Sequence, residues 1–353
     1  MALIEFVCPI CHGPLRRESQ AYICIRDQRS YPVTAGIPDF RAAAEGRLPL
    51  ETEPALVSCL LSEYHNRSFI QLIELDPSLI IDLPSRLRIR RRIHIESGAV
   101  RAKSSLDEIQ RLITLPDRDQ YLEIGCGTGG FLVAAAGVFR TVVGLDISLP
   151  RLILAKKQLG EAGREAVLLA AYAECLPFAE QSFQLVVGSD VIEHVQDPLK
   201  VMREVHRVLV PGGAVFLATP NRWSLTPEPH VNVWGVGFLP KAWREPYVRL
   251  VQHLPYRDIN LLNWIEIRRL LRHAPFSRWH ILLPDLPPEH TVRLPYWVRI
   301  IVPLYHALKN YSTTKWLLFL FGPLFHLICV KEELGIRRRA TDNPTRDAEG
   351  NAA

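Results

Sequence analysis

The sequence predicts an α/β fold, on three observations. An apolar run, Tyr121–Ile124, leads straight into Gly125-Cys126-Gly127-Thr128-Gly129-Gly130 and then into the apolar segment Phe131–Val138. A second apolar run, Thr141–Asp146, ends in an acid. Strand-like runs and helical segments then alternate as far as Thr219. Short apolar runs bounded by turn residues read as buried strands, and longer ones as helices.

Each of these segments has a chemical reading. The glycines after Ile124 permit a turn that other residues resist, so the backbone can approach a polar ligand at a helix N-terminus. Asp146 stands where a carboxylate can accept both hydroxyls of a ribose, which suits more than one nucleoside cofactor, NAD included. The third strand, Ala166–Ala170, precedes Ala173-Glu174-Cys175-Leu176-Pro177-Phe178, an acceptor and an apolar wall suited to an adenine edge. The fourth strand, Phe183–Gly188, runs into Ser189-Asp190-Val191-Ile192-Glu193-His194. A helix over Pro198–Leu209, the turn Val210-Pro211-Gly212-Gly213 and a fifth strand over Ala214–Thr219 complete the series.

This ordered series resembles the class I S-adenosylmethionine-dependent methyltransferases, in the branch that methylates small molecules, quinones, sterols and glycans. The resemblance covers residues 105–220 well and thins toward residue 331. It implies a Rossmann-like, seven-stranded sheet with helices on both faces, in a domain spanning 105–334. S-adenosyl-L-methionine is the implied cofactor. Its methionine part would lie over Gly125, Gly127 and Gly129, with Glu123 orienting the loop or meeting the ammonium. Asp146 would take the ribose, Ile147 would pack on the adenine, Ala173 and Glu174 would meet the adenine edge, and Ser189 and Asp190 would line the cleft. Cys126 falls in the same loop but is expected to be a spectator, as is Cys175. Related quinone O-methyltransferases carry Glu-x-x-Glu-His where this chain has Asp190, Glu193 and His194. That implies proton removal or metal binding, with His194 as a candidate catalytic residue.

Composition sets the remaining bounds. The chain has 353 residues, 48% hydrophobic and 22% charged, enough for two domains and a sizeable core. A net charge of +5 permits an anionic partner without requiring one. Seven cysteines at uneven spacing do not form a secreted disulfide framework. Met1–Ile10 lacks the basic start and long apolar core of a signal peptide, so a cytoplasmic location is expected.

Residues 1–42 read as a separate β-rich unit. Cys8-Pro9-Ile10-Cys11 can offer two thiolates to one zinc ion and Cys24 a third. The pattern resembles the zinc ribbons that accompany methyltransferases, including the activator of several tRNA and protein methyltransferases, with Tyr31–Phe40 matching their usual tail. The fourth cysteine of that pattern is replaced by Asp27, so Asp27 or His12 would have to complete a tetrahedron, or the ribbon folds without metal. Residues 43–104 read as linker and helical lead-in, with helices over Leu56–Leu75 and Ser85–Ile109. Tyr64 and His65 are pocket candidates there. The basic run Arg86-Leu87-Arg88-Ile89-Arg90-Arg91-Arg92 is more often a solvated or acid-paired helix face than a phosphate site.

The segment 221–262 is too long and too aromatic for a simple connection and reads as a lid over an apolar or sugar-like acceptor. Trp223, Trp234 and Trp243 lie in it, and His230, set among prolines, is the candidate general base. A helix is expected over Asn263–His273, a sixth strand over Trp279–Leu283 and a seventh over Leu324–Val330. The apolar segment Trp316–Val330 is too short to span a bilayer. Trp297, Arg299, Ile300, Ile301, Leu304, Tyr305 and Lys309 could instead rest on a membrane surface as a peripheral contact. Residues 335–353 are expected to be a disordered tail.

The function expected is methyl transfer to an oxygen or nitrogen of a small-molecule acceptor, lipid-linked and glycosylated ones included. Methylation of rRNA or tRNA is the alternative within the same chemistry, but the lid lacks the interleaved basic residues that a nucleic-acid partner would need. A cofactor-binding partner protein without catalysis is the alternative outside it. No residue pattern here fixes an oligomeric state.

Overall fold

The computed structural model describes residues 4–41, 52–76, 85–285 and 296–332. Residues 4–41 form a four-stranded antiparallel sheet of β1 (Leu15–Arg17), β2 (Ala21–Cys24), β3 (Ser30–Thr34) and β4 (Ile37–Pro38). Tyr31 and Phe40 are fully buried, with ring centroids 5.2 Å apart, and Phe6 packs on Phe40 and on Phe178 of the larger unit. The small sheet is fastened by backbone bonds as well. Phe40 N donates to Ala170 O at 2.7 Å and Val7 N to Pro177 O at 3.1 Å.

Seven strands make the second sheet: β5 (Gln120–Ile124), β6 (Thr141–Asp146), β7 (Val167–Ala170), β8 (Phe183–Ser189), β9 (Leu209–Pro220), β10 (Arg278–Leu282) and β11 (Leu324–Val330). Their order across the sheet is β10-β11-β9-β8-β5-β6-β7. The five strands from β7 to β9 are mutually parallel, whereas β11 is inserted antiparallel between β9 and β10. Central parallel strands are buried on both faces and therefore read as continuous apolar runs. Alternate residues of β5 and β6 serve opposite faces. Leu122, Ile124, Val143 and Leu145 enter one core with Val201, Met202 and Val205, while Tyr121 and Val142 enter another with Leu132, Leu152 and Ile153.

On the second face lie α5 (Gly130–Ala135) and α6 (Leu149–Glu161). Of the lead-in helices, α1 (Glu53–Glu63) and α2 (Phe69–Ile73) pack on α6, α4 (Gly98–Leu112) packs on α5, and α3 (Ser85–Glu96) packs on α4. The other face carries α7 (Pro198–Val208) and α9 (Trp264–His273). Between β9 and α9, the helix α8 (Lys241–Gln252) follows a short 3-10 turn. Near the C-terminus come α10 (Tyr296–Asn310) and α11 (Ser312–Phe321).

Several sequence expectations are corrected here. The two long lead-in helices are each broken: Ser68 caps α2 with a full capping box, and Ser97 separates α3 from α4. Such capping satisfies end groups that a continuous helix would not expose. The fifth strand starts at Leu209, earlier than its apolar core, because Phe183 pairs with Leu209 ahead of the bulge. The segment 221–262 is not a bare loop. It carries α8 despite Pro246 inside that helix, and encloses its own small core of Val231, Val233, Val236, Val248 and Tyr256.

The membrane-facing expectation is corrected at Tyr305, which is buried and donates its hydroxyl to Pro284 O at 2.8 Å. The side chains of Trp297, Arg299, Ile300 and Ile301 lie outside the described residues, as do residues 42–51 of the linker and 333–353 of the tail. Among the described residues, no helix is long and apolar enough to cross a membrane.

Candidate active site

The candidate site lies at the carboxyl ends of β5, β6 and β8, where parallel sheets leave a crevice for ligands. Gly125, Gly127 and Gly129 all have positive φ, at 69°, 51° and 91°. A side chain at Gly125 would collide with Val191, whereas nothing lies within 4 Å of the place a Cβ would take at Gly127. The turn is thus closed on the protein side at Gly125 and open over Gly127. The buried Asp146 carboxylate faces this turn, accepting from Gly127 N and from Ser148 N at 2.8 Å each. Glu123 is buried on β5 with Oε2 unpartnered, and burial together with the Asp146 charge raises its carboxyl well above the usual range.

The other expected residues fall around this crevice with differing roles. Ile147 is exposed beside it, and Ser189 ends β8. Ala173 is buried; Glu174 accepts from Gln196 N at 3.0 Å, which ties the β7 loop to the β8 loop. The Cys126 thiol points back toward the sheet, against Gly144, and so serves packing. Tyr64 is placed away from the crevice: Lys157, on the later turns of α6, donates to its carbonyl and lies over its ring. Trp234 and Trp243 are 59% and 67% exposed.

Beyond β8 the chain turns sharply. Asp190 has φ of 55° and donates its amide to Ala218 O at 2.9 Å, and His194 N donates to Val191 O at 2.8 Å. Glu193 is fully buried; its Oε2 accepts from Thr219 Oγ1 at 3.1 Å and its Oε1 has no partner. The 221–262 segment docks here through Asn260 N, which donates to Glu193 O at 2.7 Å. It also delivers His230, whose Nε2 lies 3.1 Å from His194 Nε2. The opposite nitrogen, His230 Nδ1, lies 2.5 Å from Glu228 Oε1. Glu228 itself is buried in a tight turn, accepting from Val231 N at 2.9 Å and exchanging backbone bonds with Val233 and Asn232.

Two candidate catalytic histidines, 36 residues apart, are therefore in direct contact. Glu228 was missed by sequence reasoning; its signal was a carboxylate two positions before a proline-flanked histidine.

The electrostatics of the pair follow from these partners. Burial pulls His230 down, but the hydrogen bond to Glu228 and the charges of Glu228, Glu193 and Asp190 outweigh it, so its net shift is upward. His194 goes the other way, through desolvation by the protein around its ring and then the His230 charge. Solvent still reaches His194 at the cleft mouth. Glu193 is raised to about 8 by burial and then by Asp190. A His230 cation donating from Nε2 to a neutral His194 suits all three shifts. The ring nitrogens and a Glu193 oxygen also lie within 4.8 Å of one another, so the same trio has metal-ligand spacing.

The cysteine cluster is a second grouping, in the small sheet, where Cys8 and Cys24 share a core with Leu176 and Phe178. One donor atom from each of Cys8, Cys11, Cys24 and Asp27 lies within 4.8 Å of the others. Cys11 Sγ is 3.5 Å from Cys24 Sγ and Cys8 Sγ is 3.6 Å from Asp27 Oδ2. Tetrahedral zinc with Zn–S bonds of about 2.3 Å sets its thiolates about 3.7 Å apart, so the donor set fits that ion. Tyr31 Oη at 3.2 Å from Cys8 Sγ and Asp27 N at 3.5 Å from Cys24 Sγ can supply the outer hydrogen bonds of such a site. His12 is not part of the set.

The His230 shift has a direct check. In Glu228→Gln the two Glu228 causes go while burial remains, so His230 is expected to titrate lower than in the wild type. An NMR pH titration of the ring protons reads this; a His230 that titrates as it does in the wild type would exclude Glu228 as the main cause.

Residues 122–217 match the family model described as "Methyltransferase domain". Over 105 residues the chain is 39% identical to a ubiquinone biosynthesis O-methyltransferase of Thiobacillus denitrificans, covering 29% of this chain and 44% of that protein. A protein of the same name from Ruegeria pomeroyi is 37% identical over 101 residues, covering 29% and 41%. The chain thus spans less than half the length of the curated relatives it matches. Among solved structures, phosphoethanolamine N-methyltransferase 2 of Haemonchus contortus, in complex with S-adenosyl-L-methionine, aligns with a TM-score of 0.45 at 20% identity, covering 65% of this chain and 52% of that one. With its glycine turn, Asp146 and five parallel strands in this order, the central segment of the chain is a class I methyltransferase domain.

Proposed function

We propose that this protein transfers the methyl group of S-adenosylmethionine to a hydroxyl oxygen of a small-molecule acceptor. The observation that carries this reading is the placement of Asp146 across the open glycine turn, with the His194–His230 pair at the end of the neighbouring strand β8. The cleft fits the cofactor on its own terms: an open backbone at Gly127, an acceptor carboxylate at Asp146 and an unpartnered buried oxygen on Glu123. The relatives named as ubiquinone biosynthesis O-methyltransferases favour oxygen over nitrogen as the acceptor atom, and a lipid-linked phenol or enol fits them.

Bound S-adenosylmethionine supplies an activated methyl on a sulfonium: the S–CH3 bond breaks as the O–CH3 bond forms, leaving S-adenosylhomocysteine. The chain's part is to hold the partners in line and to take the hydroxyl proton. Asp146 would hold the ribose, and Glu123 with the glycine turn the methionine end. The hydroxyl proton would pass to Nε2 of neutral His230 once the acceptor hydroxyl takes the place of His194 against that atom, and Glu228 would stabilise the imidazolium that results. Because His230 is raised, its base form grows in above the ordinary histidine range, so the rate rises with pH across that region. A divalent cation held by Glu193, His194 and His230 is a second reading, favoured by the unpartnered Glu193 Oε1; such an ion would lower the acceptor's pKa.

The test of the cofactor is calorimetric titration of S-adenosylmethionine and S-adenosylhomocysteine into the wild type and Asp146→Ala. The expected outcome is micromolar binding by the wild type, weakened a hundredfold or more, about 3 kcal/mol, in the variant. A folded wild type that binds neither compound contradicts the proposal.

For the small sheet we propose a structural zinc held by Cys8, Cys11, Cys24 and Asp27, which ties the knuckle to the β2–β3 turn. Purified protein is expected to carry about one zinc per chain by elemental analysis. Chelation should then lower its melting temperature, and Cys11→Ser should lose the metal. Metal-free protein whose melting ignores both zinc and chelator would rule the site out.

A further inference from the structure

Arg41 follows the small sheet directly, at the edge of what the sequence presents as linker. Its side chain is only 7% exposed, between Asp39 and Glu53 at 16% and 10%. Nη2 donates to Asp39 Oδ2 at 2.6 Å and Nε to Asp39 Oδ1 at 2.9 Å. Nη1 donates to Glu53 at 2.8 and 2.9 Å and also to the Ile147 carbonyl at 2.8 Å. Glu53 Oε1 in turn accepts from Leu149 N at 2.9 Å. One cation and one carboxylate therefore hold the loop between β6 and α6 on both sides of Ser148. That loop carries Asp146, whose carboxylate is oriented from within by Ser148 N.

From this we infer that Arg41 and Glu53 are positioning residues for the cofactor, bracing the Asp146–Leu149 loop from outside the methyltransferase domain. The inference rests on the cofactor reading above and deepens it. Neither side chain need touch the ligand. A loop already fixed by buried, charge-assisted hydrogen bonds need not be ordered at the moment of binding, and this preserves affinity. The fork geometry matters, because a guanidinium grips Asp39 through two parallel bonds while a third nitrogen serves Glu53 and a carbonyl, and a single ammonium nitrogen cannot reproduce that grip. The brace also joins the two units: Phe40, next in the chain, packs on Tyr31, which stands against Cys8.

Two measurements on the full chain test this: calorimetric affinity for S-adenosylhomocysteine, and amide hydrogen exchange at residues 147–151 without ligand. In Arg41→Ala and Glu53→Ala, affinity is expected to fall by about tenfold or more and the Leu149 amide to exchange faster. Glu53→Gln, which keeps an acceptor for Leu149 N, should recover most of both. Leu271→Ala, a cavity on the opposite face of the sheet, should lower the melting temperature without changing either readout. Should Arg41→Ala fail to fold, Arg41→Lys is expected to move both readouts the same way by less. Wild-type affinity and exchange in folded Arg41→Ala and Glu53→Ala would overturn the brace. A wild type that binds no S-adenosylhomocysteine would sink the cofactor reading instead, and the exchange experiment would still decide whether the loop is braced.

Discussion

The structure depends most on how one buried carboxylate is held. Asp146 ends β6 facing the glycine turn after β5, and its two oxygens are taken by the amides of Gly127 and Ser148. A carboxylate so enclosed needs hydrogen-bond donors in place of water, and these two amides supply them. The turn has to bring Gly127 N within reach, which needs the left-handed backbone that glycine supplies at 125, 127 and 129. The loop has to stay put, which the Arg41–Glu53 pair ensures from the other side. A ribose can bind the same carboxylate because each oxygen keeps a second lone pair beside its amide donor.

A second group of polar side chains is assembled from distant parts of the chain rather than from one motif. Glu193 and His194 come from the turn after β8, and Glu228 and His230 from the segment between β9 and α9. The docking of Asn260 on Glu193 O holds the two together. Carboxylates raised by burial and a histidine raised by a carboxylate sit within one small volume, the pattern expected where protons are moved.

Much of the large sheet is legible in the sequence for a physical reason. Strands buried on both faces must be apolar throughout, so Tyr121–Ile124, Thr141–Leu145 and Phe183–Gly188 stand out, and the glycine turn and Asp146 mark their ends. Lead-in helices are less legible because their breaks depend on capping by Ser68 and on the sharp passage at Ser97, where the apolar pattern runs on unbroken. Helix α8 was hidden by Pro246, which argues against a helix from sequence alone, although tertiary packing on Val248 retains it. Contacts across long separations leave no local trace. The meeting of His194 with His230 and the role of Arg41 both belong to this class. Arg41 looks like the start of a linker until Glu53 and Ile147 are seen around it.

The most direct test of the account is a crystal structure of the chain with S-adenosylhomocysteine. The account predicts the ribose hydroxyls within hydrogen-bond distance of Asp146, the amino-acid part over Gly125–Gly129 near Glu123, and the sulfur facing His194 and His230. A nucleoside bound elsewhere, away from Asp146, would contradict it.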